Sequence, residues 1–312
     1  MSKHLPFMNP TDLARIKDLH LLARSVVEGT MLGLHRSPHA GASVEFAQYR
    51  PYTQGEDLRH VDWRLYGRTD RLHIKQFQEE TNLRCTVVLD CSASMDYASA
   101  GLTKFRYAQM LAACLAYLLS RQKDAVGFIG YHRNIHLYLP PRMGVRHLRR
   151  ILADLEALRP EGPTDTAGTL AYLGNVIKPR GMAVLISDLL HPLDETLDHL
   201  RSLRARRQDL MVLQISDPAE QTFPFDRTVT LVDAEDDRER FAIPEAIREQ
   251  YLENRRAHFA RIRRECLAEE IDIEEFGTDR PLDHALRYFL QRRSHLLMRS
   301  SRVQRGHAGG RR

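Results

Sequence analysis

The feature that most restricts the fold lies after Asn82, where short apolar runs alternate with longer segments of helical period. LRCTVVLD, DAVGFIGY, MAVLIS and LMVLQIS are near-continuously apolar and lack the in–out alternation of a strand with one wet face. Such strands must be covered on both sides, and helices running between them provide the cover. TKFRYAQMLAACLAYLLSRQ is an apolar helix, and residues 144–158, 166–178 and 194–206 supply further helices. A long charged helix is expected over 244–269, followed by a strand at IDIEEF and a closing helix over 281–293. NIHLYL and TVTLVD read as additional strands. Strand–helix–strand crossovers of this kind build a parallel sheet. The expected fold class is therefore α/β, with a mostly parallel sheet covered by helices on both faces.

Ahead of Asn82 the pattern differs. Leu13, Ile16, Leu19, Leu22 and Val26 recur at three-to-four spacing and predict a helix over 12–32, with Thr11 or Asp12 as its N-cap. SVEFAQYR and RLHIKQFQ alternate apolar and polar residues around PYTQGEDLR, which is turn chemistry. The expected division is an N-terminal helix and β-rich elaboration over 1–81, the α/β domain over 82–290, and a basic, disordered tail over 291–312.

Composition narrows the function classes. No run of about 18 apolar residues is present, so no membrane span is expected, and MSKHLPFMNP lacks the apolar core of a secretion signal. Cys85, Cys91, Cys114 and Cys266 lie far apart with no CxxC pair, which argues against a zinc site or disulfide framework and fits a reducing cytoplasm. The net charge is +5, yet 291–312 holds seven arginines and no acid, so the rest of the chain is slightly acidic. Nucleic acid is therefore not an expected partner of the body.

Ligands of open α/β sheets bind where loops leave the carboxyl ends of the strands. The first such strand ends in Asp90-Cys91-Ser92-Ala93-Ser94, and MAVLIS runs into Asp188. Thr164 and Asp165 sit between them, in a GPTD turn before a helix. Taken alone, DCSAS could be a polar turn capping the next helix. A serine nucleophile would prefer a GxSxG elbow, and no glycine flanks Ser92 or Ser94. An aspartyl-phosphate enzyme would place a second acid two residues after Asp90, where Ser92 stands. There is no GxxxxGK[ST] loop. Asp90, Ser92, Ser94, Thr164 and Asp188 together are all oxygen donors, the chemistry of Mg²⁺. Mn²⁺ is not distinguished from it. A metal-dependent phosphoryl-transfer or hydrolytic enzyme at the same place is the competing expectation, weakened because no base or nucleophile stands out.

These residues carry a family resemblance. DCSASM, the GPTD threonine and ISD resemble the metal-ion-dependent adhesion site of von Willebrand factor A domains. Upstream, Glu45-Phe46, the set Arg50, Tyr52, Gly55, Asp57, Arg59, Asp62 and Trp63, and Lys75, Phe77, Glu79 and Glu80 resemble the signature of a bacterial domain-of-unknown-function family, number 58, that precedes such a domain. The resemblance spans about residues 30–230. It implies a doubly wound, mostly parallel, Rossmann-like von Willebrand factor A fold with a β-rich N-terminal elaboration, and a non-enzymatic, metal-dependent protein-binding role. It further implies a MoxR-type AAA+ ATPase as partner in chaperone-like maturation of other proteins, and a partner Asp or Glu carboxylate that completes the metal shell.

Other residues receive structural expectations. His60, Asp62 and Trp63 read as a hydrogen-bonded anchor of the β-rich unit, and Cys91 as a small buried filler. His132 and His136 are not expected to pair on a metal. Asp96 and Asp165 are candidates for orienting the metal ligands. Arg142, Arg146, Arg149 and Arg150, and Arg201, Arg204, Arg206 and Arg207, form two basic edges, either solvated or facing an acidic partner.

Overall fold

The computed structural model describes residues 9–35, 48–51, 66–67, 72–76, 83–178, 181–232, 234 and 239–293. His60, Asp62, Trp63 and most of the upstream signature lie outside these residues. The chain divides into two compact units, residues 1–31 with 83–312, and residues 32–82. In the second, β1 (Gln48–Pro51) and β2 (His73–Gln76) pair antiparallel, with Tyr49 opposite Lys75.

The larger unit is mixed α/β. Its six-stranded sheet comprises β3 (Arg84–Asp90), β4 (Ala125–Tyr131), β5 (Ile135–Arg142), β6 (Met182–Ser187), β7 (Asp209–Ser216) and β10 (Asp272–Gly277). The strand order is β10-β7-β6-β3-β4-β5, and every pairing is parallel except β4 with β5. β4 and β6 are buried along their whole length and β3 from Cys85 onward, as their apolar runs require. Alternate residues of each strand feed separate cores. Val87, Leu89, Val184 and Ile186 join α2 (Leu19–His35), α3 (Lys104–Arg121), α4 (Val145–Ala157) and a helix over 282–293. Val88, Leu185 and Val212 join α5 (Thr166–Val176), α6 (Asp194–Ala205) and α8 (Pro244–Ala268). The short α7 (Pro218–Thr222) follows β7 in the chain.

Four sequence expectations are corrected. The helix expected over 12–32 is broken into α1 (Pro10–Leu13) and α2. Asn9, not Thr11 or Asp12, caps α1, and Asp18 starts α2 by accepting from the Leu21 amide at 2.9 Å. That N-terminal helix belongs with the α/β unit, because Leu13, Leu19, Leu22, Ala23, Val26 and Val27 are buried in its core. The boundary drawn at 291 is also too early. The closing helix runs to residue 293, where Arg293 makes a 2.6 Å ion pair with Asp124, itself only 2% exposed. An additional hairpin, β8 (Val229–Val232) with β9 (Glu239–Ala242), follows β7; only its first strand was legible.

Strand order reverses at β3. The chain goes from β3 to β4 on one side and returns through β6 on the other. In a doubly wound sheet the crevice outside such a reversal is where ligands bind. Asp90 stands at that point.

Candidate functional site

Asp90 ends β3 and is fully buried. In the parallel register Leu89 pairs with Ile186, which brings Ser187 beside Asp90. Ser187 donates its hydroxyl to Asp90 Oδ2 at 2.7 Å and accepts the Leu189 amide at 3.1 Å. Thr164 donates to the same carboxylate oxygen at 3.3 Å, while the Ser92 amide donates to Oδ1 at 2.9 Å. Ser92 and Ser94 place their hydroxyl oxygens 3.1 Å apart. Four of the five expected metal ligands therefore converge on one small volume.

The backbone explains why. The Cys91 amide bonds to the Tyr131 carbonyl at 2.6 Å, the Glu161 amide to the Cys91 carbonyl at 2.9 Å, and the Ala93 amide to the Gly162 carbonyl at 2.8 Å. The serine loop and the loop carrying Thr164 are thus laced together across a sequence gap of about 70 residues. Gly162 takes φ +66°, a conformation that glycine adopts without steric cost. Asp165 holds the other end of that turn. Its amide bonds to the His132 carbonyl at 2.9 Å, and its carboxylate caps α5 through the Gly168 amide at 2.8 Å. Asp165 is a helix cap and Asp96 is exposed, so neither is bonded to a candidate ligand.

Asp188, the fifth expected ligand, is arranged differently. It lies one residue past β6, so strand alternation turns it to the opposite side of the sheet from Ser187. Its Oδ2 accepts Lys104 Nζ at 2.8 Å, and its Oδ1 accepts the Leu190 amide at 3.3 Å. Lys104, 1% exposed, also donates to Glu220 Oε1 at 2.6 Å. Neither Lys104 nor Glu220 was singled out by sequence. The only signal was the single lysine of a largely apolar helix, placed in its first turn.

Electrostatics separate the two acids. Burial, and then the nearby Asp188 charge, push Asp90 up to about 6, against the hydrogen bonds from Ser187 and Ser92 that favour its ionised form. For Lys104, burial opposes the charge, yet Asp188 and Glu220 outweigh it and hold the ammonium above its ordinary value. Tyr131, buried beside Asp90 and bonded to Thr166 at 3.0 Å, is pushed well above the usual phenol range by burial and that acid. Cys91 is fully buried and its thiol is raised chiefly by burial, consistent with an inert packing role.

The remaining candidates fall outside the cluster. His132 and His136 stack with centroids 4.7 Å apart. Among the described residues no group of three or more His, Cys, Asp or Glu is placed to hold a metal, so the donors at Asp90 are mainly hydroxyls. The second basic edge is largely spent on the fold. Arg201 pairs with Asp198 and Glu265 at 2.8 and 2.7 Å, Arg204 with Asp209 and Glu270, and Arg206 with the Gly174 carbonyl. Among the described residues no helix is long and apolar enough to cross a membrane.

A family described as "Protein of unknown function DUF58" matches residues 48–261, over two thirds of the chain. The chain belongs to that family. As a DUF58 protein it is similar to uncharacterised proteins of Mycobacterium tuberculosis and Mycobacterium bovis, each 29% identical over 293 residues and 91% of both chains. Among solved structures it is similar to BatB from Bacteroides thetaiotaomicron, with TM-score 0.46, 12% identity and coverage of 67% of this chain and 98% of that one. An aerotolerance-related membrane protein from Bacteroides fragilis gives 0.47 and 14%, over 67% and 97%.

Proposed function

We propose that this DUF58 protein is a non-enzymatic binding module of the von Willebrand factor A type, which engages a protein partner through Mg²⁺ or Mn²⁺. The observation that carries the reading is the convergence of Ser92, Ser94 and Thr164 on the buried Asp90 at the reversal of strand order. The residues suit a hard divalent cation. They offer oxygen donors alone, and Asp90 sits in an environment that burial makes unfavourable to its charge despite several hydrogen bonds. Asp90, Ser92, Ser94 and Thr164 would hold the ion, while Asp188, expected from the sequence as a fifth ligand, is engaged by Lys104. When bound, the ion would supply a positive centre for a carboxylate oxygen of the partner.

The serines favour binding over turnover. The Ser92 and Ser94 hydroxyls face each other, and Ser92 lies against the Asp90 carboxylate rather than an imidazole that could take a proton. The partner proposed is a MoxR-type AAA+ ATPase, within chaperone-like maturation of other proteins.

The test is capture of partners from lysate by the full chain, with Mg²⁺ or with EDTA, comparing wild type with Ser92→Ala/Ser94→Ala. Binding that is lost on chelation and lost in the double variant is expected. Retention of the same partners under both treatments would sink the metal bridge. Hydrolysis of generic phosphate or ester substrates, abolished in the same variant, would replace it with the enzyme reading.

A further inference from the structure

Lys104 is an unusual residue in an unusual place. It opens α3 directly after the N-cap Thr103, at the helix end whose dipole disfavours a cation, and its side chain is 1% exposed. Burying an ammonium at such a point requires close anionic compensation. Asp188 at 2.8 Å and Glu220 at 2.6 Å provide it. Glu220 is itself fixed, since its Oε2 accepts the Asp217 amide at 2.9 Å within a capping box that opens α7. Asp217 in turn accepts both the amide and hydroxyl of Ser99, on the segment joining the serine loop to α3. Lys104 is therefore locked between the ends of β6 and β7 and cannot swing into water without breaking both ion pairs.

We propose that Lys104 is a positioning residue that sets the charge of the candidate metal site, by neutralising Asp188 and withholding it from the ion. The inference rests on the metal-binding reading above and deepens it. With Asp188 tied to Lys104 and to the Leu190 amide, Asp90 is the carboxylate that faces the three hydroxyls. An ion held by one carboxylate and neutral oxygens keeps more of its positive charge than one held by two. It binds less tightly alone and accepts a further carboxylate more readily. Lys104 thereby moves affinity from the resting protein to the complex.

The experiment is Mn²⁺ titration of the full chain, followed by the electron paramagnetic resonance of free Mn²⁺, with circular dichroism confirming the fold of each variant. Lys104→Met releases the Asp188 charge and is expected to tighten Mn²⁺ on the order of tenfold. Lys104→Arg keeps the charge and should remain within about threefold of wild type. Lys104→Met/Asp188→Asn removes both charges of the pair and should return to the wild-type value. A folded Lys104→Met protein with unchanged Mn²⁺ affinity overturns the proposal while leaving the metal site standing. Where Lys104→Met does not fold, the double variant decides, because a loss of about a hundredfold would mean that Asp188 itself grips the ion. Absence of Mn²⁺ binding by wild type overturns both this proposal and the reading beneath it.

Discussion

Two acids end neighbouring strands, and the molecule treats them in opposite ways. Asp188 has a resident ammonium at 2.8 Å. Asp90, just across the β3–β6 pairing, is held by hydroxyls and an amide, and is pushed up to about 6 by burial and by Asp188. One carboxylate is finished by the fold, whereas the other is held in a partly compensated state at the reversal of strand order. A protein that needed only stability could have given both the same treatment. The difference teaches which acid the fold pairs with a resident cation and which it holds with hydroxyls and an amide.

The comparison breaks most visibly if the finished pair is cut. Asp188→Ala leaves Lys104 buried with one acid fewer and should cost about 3–5 kcal/mol in urea unfolding, with EDTA present. A loss below about 1 kcal/mol would mean that the pair is not the anchor described here. Asp90→Asn should do the reverse. It removes a buried charge whose folded pKa of about 6 lies above the ordinary carboxylate range, and so raises stability in EDTA at pH 7.5 by roughly 2–3 kcal/mol. The sign has a pH signature. Asp90 takes up its proton in the folded state before the unfolded chain does, so wild type gains stability as pH falls through 6 toward 4, and the advantage of Asn shrinks over that window. A constant gap between the two proteins from pH 7.5 to 4.5 would contradict the assignment.

Smaller effects sharpen the contrast. Thr164→Val deletes one hydroxyl from the Asp90 cluster and should weaken Mn²⁺ binding about tenfold, with a melting temperature in EDTA within a few degrees of wild type. Ser187→Ala removes the shortest hydrogen bond to Asp90 and should cost about 1 kcal/mol. Because the lost bond favoured the ionised acid, the same change should also move the pH dependence of stability upward.

Much of this arrangement was legible before any coordinates. Buried parallel strands are apolar on both sides, and so VVLD, MAVLIS and LMVLQIS announced themselves and placed Asp90 and Asp188 at their ends. The serine spacing in DCSAS and the GPTD turn marked Ser92, Ser94 and Thr164. Register was not legible. Whether Ser187 or Asp188 faces Asp90 depends on how β6 pairs with β3, and a shift of one residue exchanges the two sides of a strand. Lys104 and Glu220 meet only because α3 and α7 converge on one sheet edge, a contact between residues 116 positions apart. The break between α1 and α2 escaped for a local reason. Asp18 competes as a new cap inside a run whose apolar spacing alone would have continued.

The packing of α2 has a practical consequence for anyone dividing this protein. Leu19, Leu22, Ala23 and Val27 are nearly or fully buried in the α/β core, although residues 32–82 separate them from β3 in the chain. The segment 32–82 is therefore an insert in the connectivity of the larger unit rather than a leader in front of it. A recombinant fragment begun at residue 83 would lack a wall of its own core and would expose the apolar faces of α3 and α4. The smallest faithful version keeps residues 1–31 and bridges the excised insert with a linker, or supplies the first helix as a separate peptide.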